Sequence, residues 1–175
     1  PDGNPRWMQA QVTNLGTINI EQSLSIENSS TTFTNTAGTV NVAAGKVLTI
    51  SSGTTELGSG TVLTGDGLLD LAGYHTLNLG SDLTLPSSGQ QLSFGGSVTV
   101  NGPGQLFNQT TLELTNDSIN ADVTNSGTLL VHGNNSINGT LSTTGTSIIR
   151  IEGNASYGYS YLTLANSFTN NGVME

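Results

Sequence analysis

The side chains able to do chemistry in this chain are few and scattered. Asp66 and Asp70 flank the start of an apolar run in Gly65-Asp66-Gly67-Leu68-Leu69-Asp70, with Asp82 and Asp117 further along. Carboxylates paired across a groove are the machinery of glycoside hydrolysis, one as acid and the other as base or nucleophile. Asp66, however, lies in a Gly-Asp-Gly turn and Asp70 at the outward middle of an apolar–polar–apolar triplet, so turn chemistry and solubility explain both. Asp117, Asn120 and Asp122 offer oxygen atoms to Ca²⁺, but their spacing fits neither the EF-hand loop nor the Gly-Gly-x-Gly-x-Asp repeat, and a polar corner is the better reading. His75 and His132 are the only histidines. Neither has a carboxylate or serine at a recognisable catalytic interval, and both are expected at the solvated surface.

Arg6, Lys46 and Arg150 are the only basic residues against a net charge of −9. They are too few to neutralise a uronate in a lyase site or a phosphate backbone, so nucleic acid and anionic membrane surfaces are poor partners. The expectation is a non-enzymatic chain with no metal and no cofactor. The one cluster suited to contact is Tyr157-Gly158-Tyr159-Ser160-Tyr161, which holds three of the four tyrosines. Exposed Tyr157, Tyr159 and Tyr161 can stack on a sugar face or meet another protein; the plainer reading is a loop that folds back and packs its rings on the molecule's flank.

The elements that must position these residues follow from a recurring phrase. An apolar residue, Thr or a small polar residue, two further polar or small residues, Gly, one residue, and then apolar–any–apolar occurs as Val12-Thr13-Asn14-Leu15-Gly16-Thr17-Ile18-Asn19-Ile20. It recurs from Leu63 to Leu71 and from Val123 to Val131, with looser copies starting at Phe33, Leu85, Val100 and Leu141 and a truncated one at Phe168. Self-similarity at about 22 residues marks units that bury their apolar face only by stacking on neighbours. Triplets such as Val40-Asn41-Val42, Leu77-Asn78-Leu79 and Ile149-Arg150-Ile151 have the period of half-buried strands, and Gly- and Asn-centred breaks supply the corners. A β-sandwich has no reason to repeat one phrase in every cycle, so the fold expected is all-β, a parallel β-helix of about seven turns and on the order of 35 Å long. Asn14, Asn35, Asn125 and Asn170 fall at corners, where amides can bond in ladders. Trp7 and Met8, just before the first strand, are expected to cover the end of the rod. Thr-x-Thr ice-binding ladders are disfavoured, because the triplet centres vary among Asn, Ser, Thr, Asp, Glu and Arg. Residues 1–11 read as an N-terminal linker or cap and 12–175 as one β-helix domain, part of a longer chain or assembly.

The composition agrees. Apolar residues make up 34% and charged residues 9%, but abundant Val, Ile and Thr with few Pro distinguish the chain from a disordered one. Cysteine is absent, which fits an oxidising compartment. No apolar stretch is long enough to span a membrane as a helix. Asn-x-Ser/Thr sequons at Asn28, Asn108, Asn116, Asn134, Asn138 and Asn154 are as many as this composition yields by chance.

The run Phe33-Thr34-Asn35-Thr36-Ala37-Gly38-Thr39-Val40-Asn41-Val42-Ala43-Ala44-Gly45-Lys46-Val47-Leu48-Thr49-Ile50, with the copies at Val123 and Phe168, resembles the repeats of bacterial exported β-helix proteins, the filamentous-haemagglutinin-like adhesins and autotransporter passenger domains. The resemblance covers roughly 12–175 and is one of repeat style; the Asn-Pro-Asn signatures of the two-partner secretion domain are missing. It implies a right-handed coil, an extracellular or cell-surface location, and a role as a stalk or adhesive surface whose partner is a glycan or protein of a host or other surface. Two alternatives stand beside it: a subunit that self-associates end to end into a filament or surface layer, and, more weakly, a carbohydrate-active β-helix enzyme.

Overall fold

Alternating triplets fold here as rungs, and each rung pairs in parallel with its counterpart one cycle later. The computed structural model describes residues 6–153 and 155–175; the Pro1–Pro5 segment of the expected linker and the sequon at Asn154 lie outside the described residues. Every strand pairing is parallel and no helix occurs among the described residues, so the architecture is a β-solenoid of about eight turns, close to the seven expected. Paired residues lie from 17 positions apart, Leu106 on Val123, to 27 apart, Ile137 on Leu164.

Each turn has three faces. The first is built from Trp7–Gln9, Leu24–Glu27, the starts of the long strands Val47–Leu57 and Leu68–Leu79, Gln91–Phe94, Thr111–Thr115, Thr128–His132, Ile148–Ile151 and Val173–Met174. The second holds Val12–Thr13, Thr32–Asn35, the ends of the same long strands, Thr99–Asn101, Ser118–Ile119, Asn134–Ile137 and Tyr161–Leu164. The third holds Thr17–Ile20, Thr39–Val42, Val62–Gly65, Leu83–Leu85, Leu106–Asn108, Val123–Asn125 and Leu141–Thr143.

Inward residues stack in register: Leu48 on Leu69 on Leu92, Leu77 on Val100 on Ile119 on Ile137, and Leu83 on Leu106 on Val123 on Leu141. They form one aliphatic cluster running from Ile20 to Ile149. Each fully buried Leu or Ile contributes roughly 1.5–3 kcal/mol of transfer free energy. Outward, the second face is unusually regular, with Thr32, Thr54, Thr76, Thr99, Ser118, Ser136 and Thr163 sharing one column. Beside it Glu56, Asn78, Asn101, Asn120 and Asn138 bond side chain to side chain, with Asn101 Nδ2 donating to Asn78 Oδ1 at 2.9 Å and Asn120 Nδ2 to Asn101 Oδ1 at 2.7 Å. The variation of triplet centres along the chain is thus sorted by face: a mixed Thr and Ser column stands beside a Glu and Asn column, which is not a Thr-x-Thr array.

Two other expectations are corrected. Trp7 and Met8 do not precede the first strand; they belong to it, paired with Ser25 and Ile26. Trp7 falls in an outward column and is 64% exposed, so it does not cover the end of the rod's core; only Met8 falls in the inward column. The ladders also have interruptions. Val62–Gly65 and Leu83–Leu85 belong to the same face, yet neither a ladder nor any backbone hydrogen bond joins them. The cause is turn length: the chain takes six residues from Leu57 to Leu63 but four from Leu79 to Leu83, so the rungs fall out of step. Gln91–Phe94 and Thr111–Thr115 are likewise unladdered but stay side by side, with Thr110 Oγ1 donating to Gln91 Oε1 at 3.3 Å.

Candidate functional site

The four carboxylates considered for glycoside chemistry are not brought together. Asp66 borders a surface cleft with Lys46, whereas Asp82 borders others with Ser59 and Ser81, and none of these clefts holds a second carboxylate. Asp70 accepts a hydrogen bond from Ser93 Oγ at 2.6 Å on the outward first face. Asp117 is buried. Among the described residues no group of three or more His, Asp or Glu side chains is placed to hold a metal ion. The oxygen atoms of Asp117, Asn120 and Asp122 are dispersed: Asn120 stands in the outer amide ladder and Asp122 accepts from the Thr140 amide at 2.7 Å.

Asp117 is the polar corner that the sequence suggested, sunk deeper than a corner needs. Its Oδ1 accepts from Val98 N at 2.6 Å, its Oδ2 from Thr115 N at 2.7 Å, and its own amide donates to Asn135 Oδ1 at 2.8 Å. Burial pushes its carboxyl up to about 6, against the pull of those two backbone donors and with a further push from Glu113.

Both histidines are corrected from surface to interior. His75 is 1% exposed, at the corner where the Leu68–Leu79 strand bends from the first face to the second. Its Nδ1 meets Ser52 O at 2.8 Å and its Nε2 meets Thr55 Oγ1 at 2.9 Å. Thr55 occupies the inward column between Phe33 and Leu77, so the imidazole satisfies a hydroxyl that otherwise has no place among aliphatic side chains. Burial lowers the His75 pKa, the Ser52 bond opposing it. His132 is 6% exposed with Nδ1 unpartnered, its Nε2 3.7 Å from Glu113 Oε1.

The two buried groups give stability opposite pH dependences. Asp117 favours its protonated form in the fold, so its contribution is complete below the ordinary carboxylate range and is lost as the pH rises to about 6 and beyond. His75 favours its neutral form, so its contribution is present above the ordinary histidine value and is lost as the pH falls below it. Relative to Asp117→Asn, the wild-type protein is expected to lose about 3 kcal/mol between pH 4 and pH 7; relative to His75→Gln it should lose stability only below about pH 6.5. Urea denaturation across pH checks both, and parallel curves for wild type and variant would refute either assignment.

The tyrosine cluster is divided by the structure. Tyr157 packs on His132 with ring centroids 4.8 Å apart and planes inclined by 40°, as a loop folding back on the flank should. Tyr159 projects, 84% exposed, and Tyr161 begins the strand Tyr161–Leu164 at 56% exposed. Ser160 pins the loop, accepting from Gly133 N at 2.9 Å and donating to Glu152 O at 2.7 Å. Tyr74, 86% exposed at a corner with positive φ, escaped the sequence reading because it stands alone.

A more enclosed feature lies on the third face, where the ladder is interrupted. Between Val62–Gly65 and Leu83–Leu85 open two adjoining cavities of about 220 and 330 Å³, sharing Leu63 and Thr84 in their walls. Ser59, Thr61, Ser81 and Asp82 line the first, and Leu85, Pro86, Gln90 and Leu92 the second. Pro86, which has no amide hydrogen, follows the Leu83–Leu85 strand directly. Gln90 is 6% exposed and its Oε1 has no partner.

No protein family, curated protein or solved structure matches the chain significantly.

Proposed function

We infer that this chain is a stiff, non-catalytic segment of an exported surface protein, acting as a stalk with an adhesive flank. The observation that carries the reading is the single apolar cluster from Ile20 to Ile149, joined by parallel ladders that run the described length of the second face and are broken once on the first and once on the third. Such a body resists local opening, because freeing one turn exposes the apolar faces of both neighbours. The second face, with its column of hydroxyls beside a column of amides, supports adhesion as well: it presents polar groups at the rung spacing of about 4.8 Å with little charge to repel a partner. Repeat style is the ground for export and for the adhesin-like role.

Antibody raised against the purified chain is expected to label intact source cells without permeabilisation; label confined to lysed cells would overturn surface exposure. Electron microscopy of the purified chain should show single rods, and fibres would favour the end-to-end assembling subunit instead.

A further inference from the structure

The interruption on the third face is more than a defect in packing. It leaves two strand edges facing each other without mutual hydrogen bonds, so each presents unpaired backbone N–H and C=O groups to the space between them. In the parallel pattern alternate residues bond to opposite neighbours. Val62 N donates backward to Gly38 O, which turns the Leu63 amide and carbonyl toward the gap. Leu83 N donates forward to Gln105 O, which turns those of Thr84 toward it from the other side.

Gln90 adds a fixed acceptor. Its Nε2 donates to Gly67 O at 3.1 Å and to Gln91 O at 2.9 Å. Both amide hydrogens are therefore committed to carbonyls, and the side chain cannot be turned over to satisfy Oε1. An orphaned buried acceptor is costly until a donor arrives.

We propose that this cleft binds a neutral saccharide, with Gln90 Oε1 and the free edges at Leu63 and Thr84 as its polar contacts. Hydroxyl groups both donate and accept, which is what an unpartnered acceptor beside unpaired N–H and C=O groups requires. The hydroxyls of Thr61 and Ser81 enlarge that set, while Leu63 and Leu85 offer apolar surface to the C–H face of a ring. Asp82 is the only charged residue in either wall, and with a net charge of −9 an anionic ligand is disfavoured. An extended peptide is disfavoured by shape. The cleft is shut at one end by Gly80 N donating to Leu57 O at 2.7 Å and at the other by Gln91 N donating to Gly67 O at 3.1 Å, so a chain cannot run through it, whereas one or two compact rings fit between. The cleft deepens the adhesive half of the function proposed above and rests on it: a surface-exposed rod that binds no saccharide leaves the stalk role standing and removes only the cleft.

The test is saturation-transfer NMR on the whole chain with glucose, galactose, N-acetylglucosamine, lactose and cellobiose as probes, followed by amide shift mapping. Transfer to at least one probe is expected, with shifts confined to residues 59–65 and 80–92. Thr84→Trp, at an exposed position that borders both cavities, should abolish binding with the melting temperature unchanged. Gln90→Met should weaken it about tenfold, the equivalent of one hydrogen bond. Absence of transfer from every probe, binding that survives Thr84→Trp, or shifts elsewhere on the rod would overturn the proposal. Tighter binding of glucuronic acid or of tetra-alanine would overturn the neutral-saccharide assignment.

Discussion

Gly53→Ala is expected to destabilise the protein by at least about 3 kcal/mol, making it one of the costliest single-methyl additions available. Gly53 turns the long strand Val47–Leu57 from the first face to the second, with φ of +70°. A methyl there would stand 2.0 Å from Asn28 O and 2.6 Å from Thr31 O, backbone atoms of the preceding turn that cannot move without opening the ladder. Gly45 is the internal control. It has nearly the same φ, +69°, and a methyl added to it would meet nothing within 4 Å, so Gly45→Ala should cost only the conformational strain of about 1 kcal/mol. Urea denaturation separates the two; equal losses would mean that the close approach of successive turns at Gly53 is not what fixes that residue.

The second large effect is expected at Asn125. Asn108 Nδ2 donates to Asn125 Oδ1 at 2.8 Å and to Thr128 O at 3.0 Å, and Asn125 Nδ2 passes the ladder on to Ile148 O at 3.1 Å. Asn125→Ala leaves Ile148 O without its side-chain donor, deprives Asn108 of one acceptor and opens a void, for a loss of about 2–4 kcal/mol. Asn138, in the outer ladder, also bonds amide to amide at 2.7 Å, but it is exposed and water can replace it, so Asn138→Ala should stay within about 0.5 kcal/mol. Similar losses at the two sites would show that rung-to-rung bonding, rather than burial of the amide, sets the cost.

The inner amide ladder was legible at Asn14, Asn35 and Asn125 because each follows an apolar residue and Thr in the repeated phrase. Asn14 Nδ2 donates to Asn35 Oδ1 at 2.8 Å, as a corner ladder predicts. The phrase's glycine has its reason in the same contact: a methyl on Gly38 would lie 2.4 Å from Asn14 Nδ2. Asn108 was missed, since it follows Leu106-Phe107 instead. Asn170, also in phrase, is exposed; it bonds the Gly172 backbone and accepts from Thr143 Oγ1 of the preceding turn at 3.5 Å, with no amide side chain as partner among the described residues. The candidate cleft left no signal in the sequence. It arises from a mismatch between the Gly58–Thr61 and Gly80–Asp82 corners that matters only once the two turns are stacked.

What the sequence by itself determined is the kind of object: alternation makes strands, Gly and Asn make corners, and a repeat that cannot bury its own apolar side must stack. What it could not determine is which face a given triplet occupies. Val12 and Phe33 open the phrase on the second face, whereas Leu63, Val123 and Leu141 open it on the third. All three faces obey the same local rule, apolar inward and polar outward, so no local pattern names a face. Only the pairing of residues 17 to 27 positions apart does. That long-range register gathered the hydroxyls into one column, drew His75 inside and parted the third face around Gln90.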